Sequence, residues 1–372
     1  MTTLEQGTDL PRGHDGHWAL VWRKFTRHRL GVAGGIVVLL AYLVALIPEF
    51  LAPVTLEAYN PSYAYAPPQT LHWGVESENG WQFRPHVLAY EMVVDYNSGR
   101  RLFTPDPEGI IDVGLFVHGE PYRLIGLIPT DIHLFGPVEV GQPVFVVGAD
   151  RLGRDILSRT IYGARISMTI GLVGVALSLV LGILIGGISG LFGGIIDNLI
   201  QRLIEFVQSV PSIPLWIGLA AAIPMSVPPL QVYFLITIIL SILGWTSLAR
   251  VVRGRFLAMR NEDFVKAARL DGAGPVRIVF RHMLPSFLSH IIATVSLAIP
   301  GMILAETALS YLGIGLRTPI VSWGVLLQEA QNVRTIASAP WLLLPGAAVA
   351  ISVLALNFLG DGLRDAADPY SD

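Results

Sequence analysis

Only two side chains could reach the phosphates of a bound nucleotide in the way a P-loop lysine does, Lys24 and Lys266. Arg23 precedes the first and Val265 the second, so neither stands in the Gly-Lys-Ser/Thr setting that cradles phosphate. The sequence therefore excludes nucleotide hydrolysis by this chain. It contains no Cys, which removes disulfides, thiolate nucleophiles and thiolate-bound metals from consideration. No His-Glu-x-x-His zinc helix is present, and Gly360-Asp361-Gly362 lacks the Gly-x-Gly-Asp order of an intramembrane aspartyl protease. His72, His86, His118 and His133 match no ligand template, so they read as scattered surface histidines and no metal is expected. Three acids lie within or beside apolar stretches: Asp197 and Glu205, expected to reach water at a span end, and Glu306. An ionisable group at such a position is a functional candidate by default. No internal repeat or midplane acid pair accompanies Glu306, so a hydrogen-bonded structural role is expected for it rather than proton relay.

The elements that would hold these residues are set by hydropathy. Of the 372 residues 52% are hydrophobic and only 14% charged, with mean hydropathy +0.58. Soluble domains carry roughly 25% charged residues, so this chain cannot cover a water-facing surface. Stretches without Asp, Glu, Lys or Arg cover 30–48, 166–196, 206–249, 282–305 and 335–360. About 20 apolar residues cross a hydrocarbon core roughly 30 Å thick, so four of these runs suit one crossing each. The run 206–249 is about twice that length, with Pro224, Pro228 and Pro229 near its middle, where a helix should break and turn. Six spans are expected. The first is not read as a cleaved leader, because Ile47-Pro48-Glu49-Phe50 lacks the small-x-small pattern.

Cations orient the spans. Arg12, Arg23, Lys24, Arg27 and Arg29 precede the first; Arg250, Arg253, Arg255, Arg260, Lys266, Arg269, Arg277 and Arg281 lie between the fourth and fifth. Six spans place both groups on one side, as the positive-inside rule requires, and the short 311–334 loop on the other side has only Arg317 and Arg334. Both termini are expected in the cytosol. The organisation expected is a cytosolic amphipathic arm at 1–29, with Trp18, Val21, Trp22 and Phe25 at helical spacing, and a first span at 30–50. An extracytoplasmic insert follows at 51–150, spans two to five at 151–310, and an outer loop, sixth span and tail at 311–372. The fold class is an all-α membrane protein with a β-rich insert between spans one and two. Within the insert, 90–94, 110–117 and 143–147 read as strands, separated by the turn signals Asn97-Ser98-Gly99 and Thr104-Pro105-Asp106-Pro107.

The segment 261–285 between spans four and five is the most informative. Glu262 and Asp263 complement a helix dipole and Ala267-Ala268 favours helix. Phe264, Val265, Ala268 and Leu270 supply an apolar face; Gly272 can end the helix with positive φ, and a second short helix, 275–280, begins at Pro275. The result is a helix–turn–helix across the ends of two spans, readable either as a docking element or as an ordinary basic loop.

The pattern A-A-x-x-x-G-x(11)-L-P, met by Ala267, Ala268, Gly272, Leu284 and Pro285, resembles the EAA loop of ABC importer permeases. Lys266 stands where many importers have Glu, and His282 where many have Ile. Gly148-Ala149-Asp150-Arg151-Leu152-Gly153-Arg154-Asp155, then Ser158-Arg159 and 162–167, is similar to the segment before the second span of dipeptide/oligopeptide/nickel-type permeases. Residues 305–313 with Ser322-Trp323-Gly324, and the tail 357–365 with Asp368-Pro369, resemble that family's later motifs. The order matches from about residue 148 to 369 and points to the "C"-type member of a heterodimeric pair.

The resemblance implies a type I ABC importer transmembrane domain working by alternating access. Its partners would be a second related permease, two ATP-binding subunits that hold the ATP and Mg, an extracytoplasmic solute-binding protein and the lipid bilayer, with no nucleic acid. It implies location in the bacterial inner membrane and peptides or similar solutes as cargo. The loop carrying Asp263, Phe264, Ala267, Ala268, Gly272, Leu284 and Pro285 would couple to the ATPases. Asp150, Gly153, Arg154 and Asp155 would face the binding protein. An alternative for that segment is an interfacial elbow, with Asp155 as helix cap, Ile156, Leu157, Ile161 and Tyr162 toward lipid, and Arg159 and Arg165 at headgroups. Ser209, Ser212 and Asn357, with Gln208, are candidates for the translocation path. A self-sufficient carrier or channel, or a permease-like complex that signals or anchors, are the competing readings; uptake driven by a proton gradient without ATP marks the carrier.

Overall fold

The computed structural model describes residues 17–77, 80–94 and 101–367. Arg12 and the rest of 1–16, the expected turn Asn97–Gly99, and Asp368-Pro369 lie outside the described residues. The first element among the described residues is an amphipathic helix, α1 (His17–Arg27), that buries Phe25 and leaves Trp22 exposed. His28 then caps α2 (Arg29–Leu46), its ring nitrogen accepting the Gly31 N–H at 2.8 Å. A short α3 (Pro48–Leu51) leads into the insert.

The insert is a four-stranded antiparallel meander of β1 (His72–Ser77), β2 (Gly80–Val94), β3 (Arg101–Leu124) and β4 (Ile128–Pro137), paired in that order. Val87, Ile111, Val113 and Val144 form its core. Two expectations are corrected. The Thr104-Pro105-Asp106-Pro107 signal does not separate strands. Leu88 pairs with Ile110 and Tyr90 with Pro105, so residues 106–109 bulge from within β3, with the Glu108 N–H bonded to the Asp106 carboxylate at 3.0 Å. Residues 143–147 are not a strand. Gln69 satisfies their backbone instead, its side chain accepting the Phe145 N–H at 2.6 Å while its own N–H reaches the Phe145 carbonyl at 2.8 Å.

The apolar helices follow. α4 (Ile156–Phe192) is 37 residues long and starts beside the insert. Gly193, at φ +66°, turns the chain into α5 (Gly194–Ser209), and a bend of 80° at Val210-Pro211 leads to α6 (Ser212–Ala221). Residues 222–228 lead to α7 (Pro229–Met259). The run 206–249 does break at the expected prolines, with Pro228 capping α7 and Pro229 opening it, but the part before them is not one straight span: α6 has only ten residues, about 15 Å of helix. Five helices are long and apolar enough to cross a membrane, or six when the bent pair α5–α6 counts as one.

A stripe of glycines joins α4 to α7. A Cβ on Gly186 would stand 2.4 Å from the Ala249 carbonyl oxygen, one on Gly190 2.6 Å from the Phe256 Cβ, and one on Gly182 2.8 Å from Leu248. At four-residue spacing these positions let two helix backbones approach closely, which substitutes for the hydrophobic drive that lipid removes. After α7 come α8 (Asp263–Leu270), α9 (Pro275–Arg277), a π-helical stretch Ile278–Met283, α10 (Leu284–Ser286) and α11 (Leu288–Tyr311). α12 (Trp323–Leu327), α13 (Val333–Ser338) and α14 (Leu344–Ala367) complete the chain. α14 packs against α2 and α11, and Met168, Ile236, Leu240, Ile303, Leu309 and Leu356 knit α4, α7, α11 and α14 into one core.

Candidate functional site

The segment from Asp263 to Ser286 forms a helical foot at the end of the bundle remote from the sheet. Glu262 and Asp263 open α8, and Lys266 reaches back to Asp263 at 3.4 Å. Gly272, at φ +77°, ends it: Ala273 donates to the Ala268 carbonyl at 3.0 Å and Gly272 to that of Arg269 at 3.0 Å, closing the αL turn. The second helix does not stop at 280 but runs through the π-helical stretch to Ser286, and Phe287 breaks it.

The buried face consists of Val265, Ala268, Ile278, Val279 and Met283. They pack on Leu191 of α4, Val252 and Phe256 of α7, and Ile291 of α11, with the Phe287 ring edge-on to Phe256 at 5.5 Å. Phe264 and Leu270, expected on that face, point away from it at 42% and 88% exposure, because the helix turns its Val265–Ala268 side inward. With Val276 and Phe280, also exposed, they give the foot an apolar outer surface. Ala267 and Pro285 are exposed there too, and Leu284 is half-buried. The foot thus presents one apolar face to three long helices and another to its surroundings.

Beside it, α5 is tied to α7 by charge. Arg253 meets both carboxylate oxygens of Asp197, through Nε at 2.5 Å and Nη2 at 2.6 Å, and Ser189 donates to Asp197 at 2.5 Å. Asp197 is buried rather than water-facing as expected, whereas Glu205 is exposed and pairs with Arg202 at 2.8 Å. Gln208 donates to Thr246 at 2.9 Å and accepts from Arg250. Ser209 and Ser212 flank the 80° bend, both exposed; Asn357 is half-buried on α14. The candidate path residues are not one cluster: α5 and α6 pack on α7, while α14 packs on α2 and α11.

At the other end Glu306 is fully buried among hydroxyls. Ser310 and Ser322 donate to Oε1 at 2.8 Å each and Ser167 to Oε2 at 3.3 Å. The same serines accept backbone N–H groups: Leu316 to Ser310, Trp323 to Ser167 and Val325 to Ser322, at 3.0, 3.1 and 3.2 Å. One carboxylate thereby pins α4, α11 and the turn before α12.

The segment before α4 is a second polar knot. Asp155 caps α4 by accepting the Ser158 N–H at 2.7 Å, as its position implied. Burial pushes its carboxyl up to about 6, against the hydrogen bonds from Ser158. Asp150 accepts from the N–H groups of Leu152 and Arg154 at 2.8 and 3.0 Å and from Arg154 Nε at 2.6 Å. Arg151 pairs with Glu329 at 3.1 Å, and burial raises that carboxyl above its ordinary range. Asp150 and Asp155 are 1% and 3% exposed, so both side chains face inward, and a Cβ on Gly153 would stand 1.8 Å from the Asn60 carbonyl oxygen. The lipid-facing elbow is corrected in part: Ile156, Arg159 and Tyr162 are buried in protein, Leu157 and Ile161 are half-buried, and Arg165 binds Glu49 through Nη1 at 2.5 Å and Nη2 at 2.8 Å. The histidines are not all superficial either. His86 and His133 are buried, and His133 Nδ1 lies 2.8 Å from the Ala52 carbonyl oxygen. Among the described residues no three His, Cys, Asp or Glu gather as a metal site.

Long apolar helices that share one core, with a two-faced helical foot at one end, define a multi-pass membrane protein. Residues 178–370 match the family described as binding-protein-dependent transport system inner membrane component, and 16–68 match the N-terminal TM domain of oligopeptide transport permease C. This chain belongs to the binding-protein-dependent transport system inner membrane component family. It is 38% identical over 223 residues to the oligopeptide transport system permease protein OppC of Bacillus subtilis, covering 60% of this chain and 70% of that protein. It is 38% identical over 233 residues to the di/tripeptide transport system permease protein DppC of Pseudomonas aeruginosa, covering 62% of this chain and 74% of that one. A methionine ABC transporter, MetNI, in an inward-facing conformation aligns at TM-score 0.44 and 19% identity, over 57% of this chain and 98% of its own.

Proposed function

We propose that this chain is the "C"-type transmembrane subunit of an ATP-driven, binding-protein-dependent importer of peptides or similar small solutes. It has the fold of a type I importer domain and works by alternating access. The foot carries the reading. Its inner face rests on the ends of α4, α7 and α11, and its outer face offers Phe264, Leu270, Val276 and Phe280 for a partner to grip. A closing pair of ATPases, which hold the ATP and Mg, would push through this foot and tilt those helices. A second related permease completes the conduit, and a solute-binding protein delivers cargo on the sheet's side. In this reading the sheet is extracytoplasmic, both termini are cytosolic, the bent pair α5–α6 makes the sixth span, and the membrane is the bacterial inner membrane. Names of relatives that specify peptide transport support the cargo class. Ser209 and Ser212, at the bend, remain the candidates for the path.

The test is reconstitution of the complex in proteoliposomes with its binding protein and a labelled peptide. Uptake is expected only with ATP, and Gly272→Val is expected to uncouple hydrolysis from uptake. Nothing lies within 4 Å of the position a Gly272 Cβ would take, so the substitution acts through the φ of +77° alone. That strain amounts to about 1–2 kcal/mol for a β-branched residue. Uphill uptake by the purified chain alone, or an unaltered ratio of uptake to hydrolysis in the variant, overturns the reading.

A further inference from the structure

The β3–β4 hairpin ends in a turn whose residues do not suit a water-exposed loop. Ile125 and Gly126, its two central residues, have φ of +53° and +73°, and Leu127 donates to the Leu124 carbonyl at 3.0 Å. Turns of this hand normally use Asn-Gly or Asp-Gly, since positive φ at a β-branched residue is sterically costly. Here the first position is isoleucine. Ile125, Leu127 and Ile128 are 47%, 79% and 60% exposed, so the strained turn displays three large aliphatic side chains at its tip. Strain retained without a packing benefit inside the molecule points to a function outside it.

The path of the hairpin says what lies there. Gly136 sits against Pro53, where an added Cβ would stand 3.0 Å from the Pro53 carbonyl oxygen. Further along, His133 Nδ1 lies 2.8 Å from the Ala52 carbonyl oxygen. Beyond that, Tyr122 and Arg123 line a cavity of about 570 Å³ with Glu49, Arg165 and Ile166. The hairpin therefore runs back along residues 53, 52 and 49 toward the end of α2, a level marked by Arg165, which donates to the carbonyls of Ala45 and Leu46 at 3.0 and 2.8 Å. Ile125 is two residues past Arg123, or about 7 Å at strand rise. That step continues in the direction of the end of α2, where the exposed row Leu39, Leu43 and Leu46 stops. Tyr122 and Arg123, just before the tip, are residue types that favour the headgroup layer.

We propose that Ile125, Leu127 and Ile128 insert into the headgroup–acyl boundary of the leaflet on the sheet's side, anchoring the insert to lipid. The tip's exposed aliphatic side chains would thus extend toward lipid the apolar surface that α2 presents. An aliphatic wedge of this size would also fix the hairpin's distance from the bilayer. Cavity walls contributed by Tyr122 and Arg123 would then be held in place from below.

The absence of cysteine makes the test direct, because any introduced one is unique in the chain. Leu127→Cys, Ile128→Cys and, as an exposed control on the distal bulge, Glu108→Cys are each labelled with NBD. The assembled complex is then placed in phosphatidylethanolamine–phosphatidylglycerol vesicles. Expected is blue-shifted emission at 127 and 128, lost when phosphatidylcholine doxyl-labelled near the headgroup is included and insensitive to aqueous iodide. The label at 108 should show the reverse. Emission at 127 and 128 quenched by iodide and untouched by doxyl lipid overturns the proposal. So does blue-shifted emission at 127 and 128 that neither iodide nor doxyl lipid quenches, which would assign the tip to a protein contact. Two positions are used so that failure of one variant to assemble leaves the other to decide.

Discussion

Arg253 of α7 and Asp197 of α5 face each other with two nearly equal contacts, 2.5 and 2.6 Å, in a fork-to-fork geometry. The pair joins the helix that leads into the 80° bend to the helix that leads into the foot. Geometry of this kind is specific to guanidinium, and lysine could not reproduce it.

Arg253→Ala leaves a buried carboxylate with the Ser189 hydroxyl as its remaining side-chain hydrogen-bond donor and only the more remote charge of Arg260, and should lower stability by about 2 kcal/mol. Arg253→Lys should recover less than half of that, and Asp197→Asn in the Arg253→Ala background should recover more. Unfolding midpoints in detergent, run as a double-mutant cycle, measure these differences; a coupling near zero would refute the tie.

Glu306 separates a structural carboxylate from a working one. Glu306→Gln keeps an acceptor for Ser310 and Ser322 and should retain most uptake. Glu306→Leu leaves three buried hydroxyls without their acceptor and should cost about 3 kcal/mol or more. If Gln abolishes uptake while the protein remains folded, the carboxylate carries protons instead.

Helix approach at Gly186 is limiting. The space a Cβ needs is held by the Ala249 backbone, which has no flexible end to yield. Gly186→Val should therefore destabilise the α4–α7 pair by about 2–3 kcal/mol or prevent assembly, while Gly254→Ala, where nothing lies within 4 Å, should be tolerated. Expression and midpoint of the two variants, compared side by side, provide the check.

Asp155 should make the insert junction sensitive to pH. Its folded carboxyl is raised from 3.8 to about 6 by burial. The folded state thus holds a proton that the unfolded state has lost, and stability falls as pH rises through this window. The full span corresponds to roughly 3 kcal/mol. Asp155→Asn retains a capping oxygen without a charge and should flatten the decline of unfolding midpoint between about pH 4 and about pH 6. A variant with the parent's slope rules this group out as the cause.

Much of this was legible in the chain because lipid and helix termini impose strong rules. Charge-free runs located α2, α4, α7, α11 and α14, although α11 and α14 extend to residues 311 and 367, past the last uncharged position, since caps and packing set helix ends. Gly272 was readable as a helix stop because few residues tolerate its φ. The assignment of Phe264 and Leu270 to the same face as Val265 and Ala268 failed because an eight-residue helix offers too few turns to fix which apolar side faces in. The three later prolines do break the run, between α6 and α7, but the additional bend at Val210-Pro211 carries a single proline and was not expected. The polar knots around Asp150 and Glu306 depend on residues such as Glu329 and Ser167 that are remote in sequence, so no local pattern announces them. The glycine stripe at 182, 186 and 190 did carry a visible signal, its four-residue period.

The foot bears on α4, α7 and α11, and no residue of α2 or α14 joins that apolar contact. Under the proposed reading, a push on the foot would enter three of the five long helices directly and would reach the first and last of them only through their packing on α4 and α11.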